Sequence, residues 1–220
     1  MSNPSIDLNI EGNVAVLTMN NPPANTWTQD TLTALKETVT ELNANKNVYA
    51  LVITGQGEKF FSAGADLNVF ASGDKGVAAT MSKVFGDAFE ALTNFRGVSI
   101  AAINGYAMGG GLEVALACDI RIAEEQAQMA LPEAKVGLLP CAGGTQNLAW
   151  LVGEGWAKRM ILCGERLKAD KAREIGLVEE VVGVGESLAA AMKLANQVGE
   201  QSPVAVTACK ELIQKGRTQP

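Results

Sequence analysis

Asn104-Gly-Tyr-Ala-Met-Gly-Gly-Gly-Leu-Glu113 is the stretch that carries most of the fold prediction. Its glycine triplet stands between an apolar, β-branched run at residues 99–103 and a second apolar run at residues 112–118, which indicates a strand, a loop and a helix in succession. Without Cβ atoms the loop can approach a ligand closely, and the N-terminus of the helix presents unpaired amide donors. A tightly packed turn would explain the glycines equally well.

The spacing of these glycines excludes two common nucleotide sites. Three residues separate Gly105 from Gly109, so the dinucleotide-binding pattern GxGxxG is not formed. The pattern GxxxxGK followed by Ser or Thr occurs nowhere in the sequence, which excludes a Walker-type phosphate loop as well.

Strands alternate with helices on either side of that stretch. Thr28 is a good N-cap for the first helix, and Ser202 with Pro203 is typical of the start of the last one. The candidate strands lie at residues 14–19, 49–54 and 119–123, and the candidate helices at residues 29–43, 77–95, 154–163, 169–175, 186–198 and 203–216. We therefore predict one α/β body with a helical C-terminal region.

The composition indicates a compact protein and disfavours nucleic acid as a partner. Apolar residues make up 47% of the 220 residues and charged residues 19%, and the net charge is −6. Clustered Lys and Arg bind phosphate backbones, whereas the longest basic run here is Lys158-Arg159. No stretch approaches the roughly 18 consecutive apolar residues of a membrane helix. Since the N-terminus also lacks a signal-peptide layout, we expect a cytoplasmic protein without a membrane span.

Histidine is absent from the sequence, which removes Ser-His-Asp and Cys-His nucleophilic schemes and most catalytic zinc sites. The four cysteines form no CxxC pair, and three of them stand in apolar surroundings, so we expect these to be small core residues of a reduced protein. Proton transfer would therefore fall to carboxylates, Lys, Tyr or Cys.

Three acidic residues are candidates for that chemistry. Glu113 precedes an apolar run, and burial would raise its pKa toward values useful for proton transfer, unless it is the one solvent-facing position of its helix. Glu133 follows Pro132, which is also the usual first turn of a helix, where an acidic residue complements the dipole. Asp66 is equally suited to capping a following turn. The spacing leaves open whether Glu113 and Glu133 meet in space.

Two further stretches, Ser62-Ala-Gly-Ala-Asp66 and Pro140-Cys-Ala-Gly-Gly-Thr-Gln146, join the glycine-rich one, and their order and spacing resemble the crotonase (enoyl-CoA hydratase/isomerase) superfamily. The resemblance spans residues 14 to about 216. It implies a spiral of ββα units that binds a CoA thioester, with a core domain at residues 1–199. Residues 200–220 would begin a C-terminal helical region used in oligomerisation, which looks truncated, and the assembly would be a homotrimer or a dimer of trimers.

By position, the resemblance implies an oxyanion hole made of the backbone N–H groups of Ala65 and Gly110, which would hold the thioester oxygen as it gains negative charge. Glu113 and Glu133 match the two catalytic glutamates of the hydratases. Glu113 would deprotonate a water for attack at the β-carbon, and Glu133 would protonate the α-carbon. CoA enters as part of the substrate, so neither a separate cofactor nor a metal is implied.

The resemblance also implies which residues contact the CoA thioester. Backbone carbonyls of Ala63 and Ala65 would read the adenine amino group. Cys141 replaces a frequent glycine and would offer its amide to water or substrate, whereas a covalent role lacks a histidine to activate the thiol. The full set of implied substrate-binding residues is Ala24, Ala63, Ala65, Asp66, Leu67, Gly110 and Cys141.

Because both glutamates are present, the predicted reaction is hydration of trans-2-enoyl-CoA to the 3-hydroxyacyl thioester. This reaction is a step of fatty acid β-oxidation. Two alternatives stay open. One is another crotonase reaction, such as double-bond isomerisation or a pathway-specific dehydration. The other is a non-catalytic homologue that has kept the CoA pocket.

Overall fold

Strands and helices alternate along the chain in the computed structural model, which describes residues 5–217. The strands are β1 (Ile6–Glu11), β2 (Val14–Met19), β3 (Ala50–Gly55), β4 (Phe60–Ser62), β5 (Val98–Ile103), β6 (Tyr106–Met108), β7 (Ile120–Glu124), β8 (Gln128–Ala130), β9 (Leu167–Lys168) and β10 (Glu180–Val182). The α-helices are α1 (Gln29–Ala44), α2 (Lys75–Thr93), α3 (Gly110–Ala117), α4 (Gly144–Leu162), α5 (Ala169–Glu174), α6 (Ser187–Gly199) and α7 (Pro203–Lys215). Short 3₁₀ helices lie at Leu67–Phe70 and Glu133–Val136. Over these described residues, no helix is both long and apolar enough to cross a membrane.

Two sheets are built from successive pairs of strands. The larger sheet has six strands in the order β1-β2-β3-β5-β7-β10, and the smaller has four in the order β4-β6-β8-β9. In β3-β4-α2, β5-β6-α3 and β7-β8-α4, the first strand enters the larger sheet, the second enters the smaller sheet, and a helix follows. Neighbouring strands run parallel except β1 with β2 and β8 with β9. This repeat confirms the predicted ββα units.

Both faces of the larger sheet are buried at its central strand. β3 is buried along its whole length, as expected of a central parallel strand. Its residues alternate between two cores: Leu51 and Ile53 pack in the main cluster with α1 and α2, while Ala50 and Val52 pack against α6. Helices therefore cover the central part of the sheet on both sides.

Local sequence explains where two helices begin. Thr28 caps α1: its Oγ1 accepts the N–H of Thr31 at 3.3 Å, and the Oγ1 of Thr31 accepts the N–H of Thr28 at 2.8 Å. This reciprocal pair satisfies amides that the helix itself leaves unpaired. α7 begins with Pro203 after the N-cap Ser202. Both starts agree with the sequence prediction.

One prediction is confirmed only in part, and another is wrong. The helix expected at residues 154–163 is the second segment of α4, and Gly153, with φ 78°, separates it by a kink from a first segment that begins at Gly144 and was not predicted. Of the cysteines, Cys118 alone is a core residue, since Cys141 is half-buried and the other two are exposed. Apolar neighbours in the sequence therefore did not predict which cysteines are buried.

A half-buried lysine ties α7 to the rest of the molecule. Nζ of Lys210 donates to the carbonyl oxygens of Phe95 at 2.6 Å and Gly97 at 3.1 Å. It also lies 2.7 Å from Oδ2 of Asp119, which accepts the N–H of Ser99 at 2.8 Å. Because each charge has further hydrogen-bond partners, the pair fixes the position of α7 without leaving either group unsatisfied.

Candidate active site

The three motif-bearing stretches of the sequence meet at one cavity of about 740 Å³, which is within the usual size of a small-molecule site. The parallel strands β4, β6 and β8 all end at this cavity, so the residues that follow each strand line its wall. Most of the wall is apolar. The residues with polar side chains on it are Thr26, Asp66, Ser82, Glu113, Glu133, Lys135 and Cys141.

The backbone of Trp27 sets the direction of the Ala65 amide. The N–H of Trp27 donates to the carbonyl oxygen of Gly64 at 2.8 Å, and the N–H of Asp66 donates to the carbonyl oxygen of Trp27 at 3.0 Å. Successive residues of extended backbone direct their N–H and C=O groups to opposite sides, so the N–H of Ala65 points away from Trp27. Ala65 lines the cavity, and its N–H has no acceptor within residues 5–217.

The amide of Gly110 opens α3. The preceding Gly109 has φ 54°, a conformation that favours glycine. The N–H of Gly110 has no acceptor in the described part of the chain, as expected in the first turn of a helix. A Cβ on Gly64 would lie 2.6 Å from the carbonyl oxygen of Met108 and 3.0 Å from the nitrogen of Gly110. The loops that bear Ala65 and Gly110 therefore touch, and their two free amides share one wall.

Glu113 lies in the first turn of α3 and is only 2% exposed, which excludes the solvent-facing interpretation. Its Oε1 accepts the N–H groups of Ala142 at 2.8 Å and Gly144 at 2.9 Å. Burial raises the pKa of this carboxyl, and the backbone amides of the 141–144 loop offset part of the rise because they stabilise the anion. The third motif therefore holds the carboxyl that the second motif supplies.

Glu133 is the first residue of the 3₁₀ helix Glu133–Val136, and it also lines the cavity. Both of its carboxyl oxygens are buried, and neither has a hydrogen-bond partner among the described residues. Oε1 lies 3.2 Å from the position that a Cβ on Gly109 would take, so the carboxyl covers the loop before α3. Burial raises the pKa of Glu133 to about 7, and the negative charge of Glu113 adds to the rise.

Cys141 places a thiol on the same wall. Burial raises its pKa to about 11, and the charges of Glu113 and Glu133 contribute to the rise. A thiol with a raised pKa stays protonated at neutral pH and is a poor nucleophile. These surroundings argue against a covalent role for Cys141.

Most of the predicted substrate-binding residues line the cavity. Those that do are Ala63, Ala65, Asp66, Leu67, Gly110 and Cys141. Ala24 does not line the cavity, and its carbonyl oxygen accepts the N–H of Ala63 at 2.9 Å. Asp66 also caps the 3₁₀ helix that follows, since its Oδ1 accepts the N–H of Asn68 at 3.0 Å, which confirms the capping interpretation. Over residues 5–217, no group of His, Cys, Asp and Glu is arranged to hold a metal ion.

Sequence reasoning missed two aromatic residues beneath the Gly110 loop. A Cβ on Gly110 would lie 2.8 Å from the ring of Phe85 and 3.6 Å from that of Trp27. Phe85 belongs to the apolar stripe of α2, where nothing distinguishes it from the other core residues. Trp27 precedes the N-cap of α1, and neither its residue type nor its position in the sequence predicted that it would lie next to the cavity wall.

Two sheets of ββα units, with two free amides and two buried carboxyls around one cavity, define a protein of the crotonase class. The sequence profile of the family described as enoyl-CoA hydratase/isomerase matches residues 9–220. The chain belongs to this family.

Individual relatives agree with the family match. Short-chain-enoyl-CoA hydratase of Clostridium acetobutylicum is 40% identical over 221 residues, covering 96% of this chain and 82% of the relative. Among solved structures, Pseudomonas aeruginosa DspI is 65% identical with a TM-score of 0.95, over 97% of this chain and 87% of that one. Enoyl-CoA hydratase from Bacillus anthracis is 36% identical with a TM-score of 0.95, over 98% of this chain and 84% of that one. These similarities confirm the predicted crotonase fold and an enzyme of the enoyl-CoA hydratase type.

Proposed function

We propose that this protein adds water across the double bond of a trans-2-enoyl-CoA to give the 3-hydroxyacyl-CoA. The observation that carries the proposal is the presence of two buried carboxyls, Glu113 and Glu133, in one cavity beside two amides without acceptors in the described chain. The identity of 40% to a short-chain-enoyl-CoA hydratase supports the same reaction.

The different surroundings of the two carboxyls support different roles. Backbone N–H groups hold Glu113 and stabilise its anion, so Glu113 is the base that takes a proton from the water attacking the β-carbon. Glu133 has no donor in the described chain and a pKa of about 7, so a large fraction carries a proton at neutral pH and can supply it to the α-carbon. Pairs of titratable groups whose environments differ in this way are usual for acid and base roles.

The amides of Ala65 and Gly110 would bind the thioester oxygen. When the water oxygen adds to the β-carbon, negative charge moves onto the thioester oxygen. Amide donors already aimed at the thioester oxygen need no rearrangement. One such donor contributes roughly 10²–10³ in rate. The proton that Glu113 takes and the one that Glu133 gives balance, and both groups must reset before the next turnover.

A hydration assay with crotonyl-CoA tests the proposal, with the loss of enoyl absorbance as the measure of the rate. We expect Glu113→Gln and Glu133→Gln each to lower kcat by about 10²–10⁴-fold, because glutamine keeps the shape but cannot take or give the proton. Glu37→Gln, on the exposed face of α1, is the matched control and should hydrate at the wild-type rate. Unchanged activity in both cavity variants would refute the mechanism.

Product analysis separates hydration from the other reactions open to this family. With 2-enoyl-CoA we expect the 3-hydroxyacyl thioester as the main product. Faster conversion of 3-enoyl-CoA to 2-enoyl-CoA would instead indicate an isomerase. Tight binding of CoA thioesters without turnover of any would indicate a non-catalytic homologue.

The proposal extends to assembly as a trimer or a dimer of trimers. Support comes from the family resemblance and from α7, on which Val204, Leu212 and Ile213 are exposed apolar side chains. Exposed apolar surface of this kind is typical of an interface. Light scattering after gel filtration should give the mass of three or six chains, and the mass of one chain would contradict the proposed assembly.

A further inference from the structure

We infer that Trp27 is a positioning residue that holds both oxyanion donors in register. Its main chain holds the loop of Ala65, and its ring supports the loop of Gly110. The inference rests on the proposed function, because it takes these two amides as the groups that receive the thioester oxygen.

The main chain of Trp27 fixes the Ala65 segment on both sides. Its N–H and carbonyl groups bond to Gly64 at 2.8 Å and Asp66 at 3.0 Å, the two residues that flank Ala65. Trp27 and Ala65 thereby form an isolated parallel bridge outside either sheet. A shift of the Trp27 backbone would therefore carry the Ala65 N–H with it.

The ring of Trp27 lies beneath Gly110. Its Cδ1 is 3.6 Å from the position of a Cβ on Gly110, which is ordinary van der Waals distance. The ring packs edge-on against Phe89 at 5.7 Å between centroids, and Phe89 packs in the same way against Phe85 at 5.6 Å. Phe85 in turn contacts the space beside Gly110. Three buried rings therefore support the start of α3 from below.

The indole N–H does not explain why this ring is there. Nε1 is buried and has no acceptor in the described part of the chain. Burying a donor without a partner is unfavourable. Since the indole N–H makes no hydrogen bond with the described residues, an aromatic ring without that N–H would lose none. The geometry assigns the positioning to the shape of the ring.

Trp27→Leu and Trp27→Phe separate these contributions. Trp27→Leu removes the ring beneath Gly110, and we expect kcat for crotonyl-CoA to fall about 10- to 100-fold with KM changed less than about threefold, since small misplacements of catalytic groups cost rates of this order. Trp27→Phe keeps a ring and should stay within about fivefold of the wild-type kcat. If Trp27→Leu does not fold, Trp27→Met gives the same comparison with a longer side chain.

Phe95→Leu is the matched control for loss of core volume. Phe95 is fully buried in the same hydrophobic cluster, and it does not line the cavity. We expect its substitution to lower Tm about as much as Trp27→Leu while kcat stays at the wild-type value. An equal fall of kcat in the two variants would show general loosening and would overturn the inference.

A spectroscopic readout separates this inference from the proposed reaction. When two amides polarise the carbonyl of a conjugated dienoyl-CoA thioester, its absorption shifts to longer wavelength on binding. In a Glu133→Gln background, Trp27→Leu should remove about half of that shift or more, and Trp27→Phe should keep it. If the protein hydrates no enoyl-CoA, the proposed reaction is wrong. If the spectral shift still depends on Trp27 in that case, the inference about Trp27 holds.

The opposite results overturn the inference alone. Confirmed hydration, with kcat and the spectral shift both unchanged in Trp27→Leu, would show that Trp27 does not position the donors. Damage by Trp27→Phe equal to that by Trp27→Leu would assign the effect to the N–H instead of the ring.

Discussion

Burial of Glu133 sets both its reactivity and its cost to the folded state. The pKa is about 7 in the folded protein, against an ordinary value of 4.5. Since the folded state binds this proton more tightly, the group stabilises the protein fully below pH 4.5, and that contribution is lost as the pH rises through about 7.

Glu133→Gln should therefore be more stable than the wild type above pH 7. Glutamine is neutral at every pH, so we expect a gain of about 1–3 kcal/mol in the free energy of unfolding at pH 8, and no difference below about pH 4.5. Urea unfolding at both pH values measures the gain. Equal stability at pH 8 would contradict the raised pKa.

The rate of hydration should depend on the same ionisation. Because protonated Glu133 supplies the proton, kcat/KM for crotonyl-CoA, which reports ionisations of the free enzyme, should fall as the pH rises through about 7. The residual activity of Glu133→Gln should lack that fall. A wild-type rate that is constant between pH 6 and pH 9 would assign the proton to another group.

Contact between the two amide-bearing loops makes Gly64 intolerant of a side chain. Gly64 and Gly57 share φ 87°, but a Cβ would meet backbone atoms only at Gly64. Gly57→Ala should cost about 1 kcal/mol of stability from strain alone, with unchanged kcat. Gly64→Ala should cost more and lower kcat at least about 10-fold, because it pushes the Gly110 loop away. Urea unfolding and crotonyl-CoA kinetics compare the pair, and matching results would contradict the contact.

At the scale of elements, short strands limited what the sequence predicted around the cavity. α1 and α2 have 16 and 19 residues, enough to show a helical stripe and a cap. β4, β6 and β8 have three residues each, too few to show alternation, and all three went unpredicted. Yet these are the strands whose ends deliver the cavity wall.

The site was predictable as a set of residues and not as an arrangement. Most of the residues named from the sequence lie on the cavity wall, although Ala24 does not and many other lining residues were not named. Spacing alone left the positions of Glu113 and Glu133 open. The contacts that hold Glu113 join positions far apart in the chain, such as the bond from the N–H of Gly144 to its carboxyl. No local pattern encodes such a contact.

The kink in α4 offers a test of backbone conformation without a change in packing. Gly153 and Gly155 are both exposed, and a Cβ on either would meet nothing within 4 Å, but only Gly153 has a positive φ, of 78°. Gly155→Ala should therefore raise the free energy of unfolding by about 0.5–1 kcal/mol, and Gly153→Ala should lower it by about 1 kcal/mol. Urea unfolding checks both signs, and a stabilising Gly153→Ala would contradict the kink.

At the scale of the whole molecule, Lys210 joins α7 to the body. Lys210→Met would leave Asp119 with less compensation in a largely buried place, and we expect a loss of about 2–4 kcal/mol in the free energy of unfolding. Cleavage within α7 by a protease should also become faster. Lys193→Met, on the exposed face of α6, is the control and should change neither quantity. Equal behaviour of the two variants would show that α7 is held by other contacts.

A laboratory screen that rewards only survival of heat would select against Glu133. Any change that replaces this carboxyl, or provides it with a donor, should improve folding at neutral pH while removing the proton source. Heat-resistant descendants of this chain should therefore be sorted by turnover as well as by melting, since the first stabilising changes to accumulate would include those that silence the enzyme.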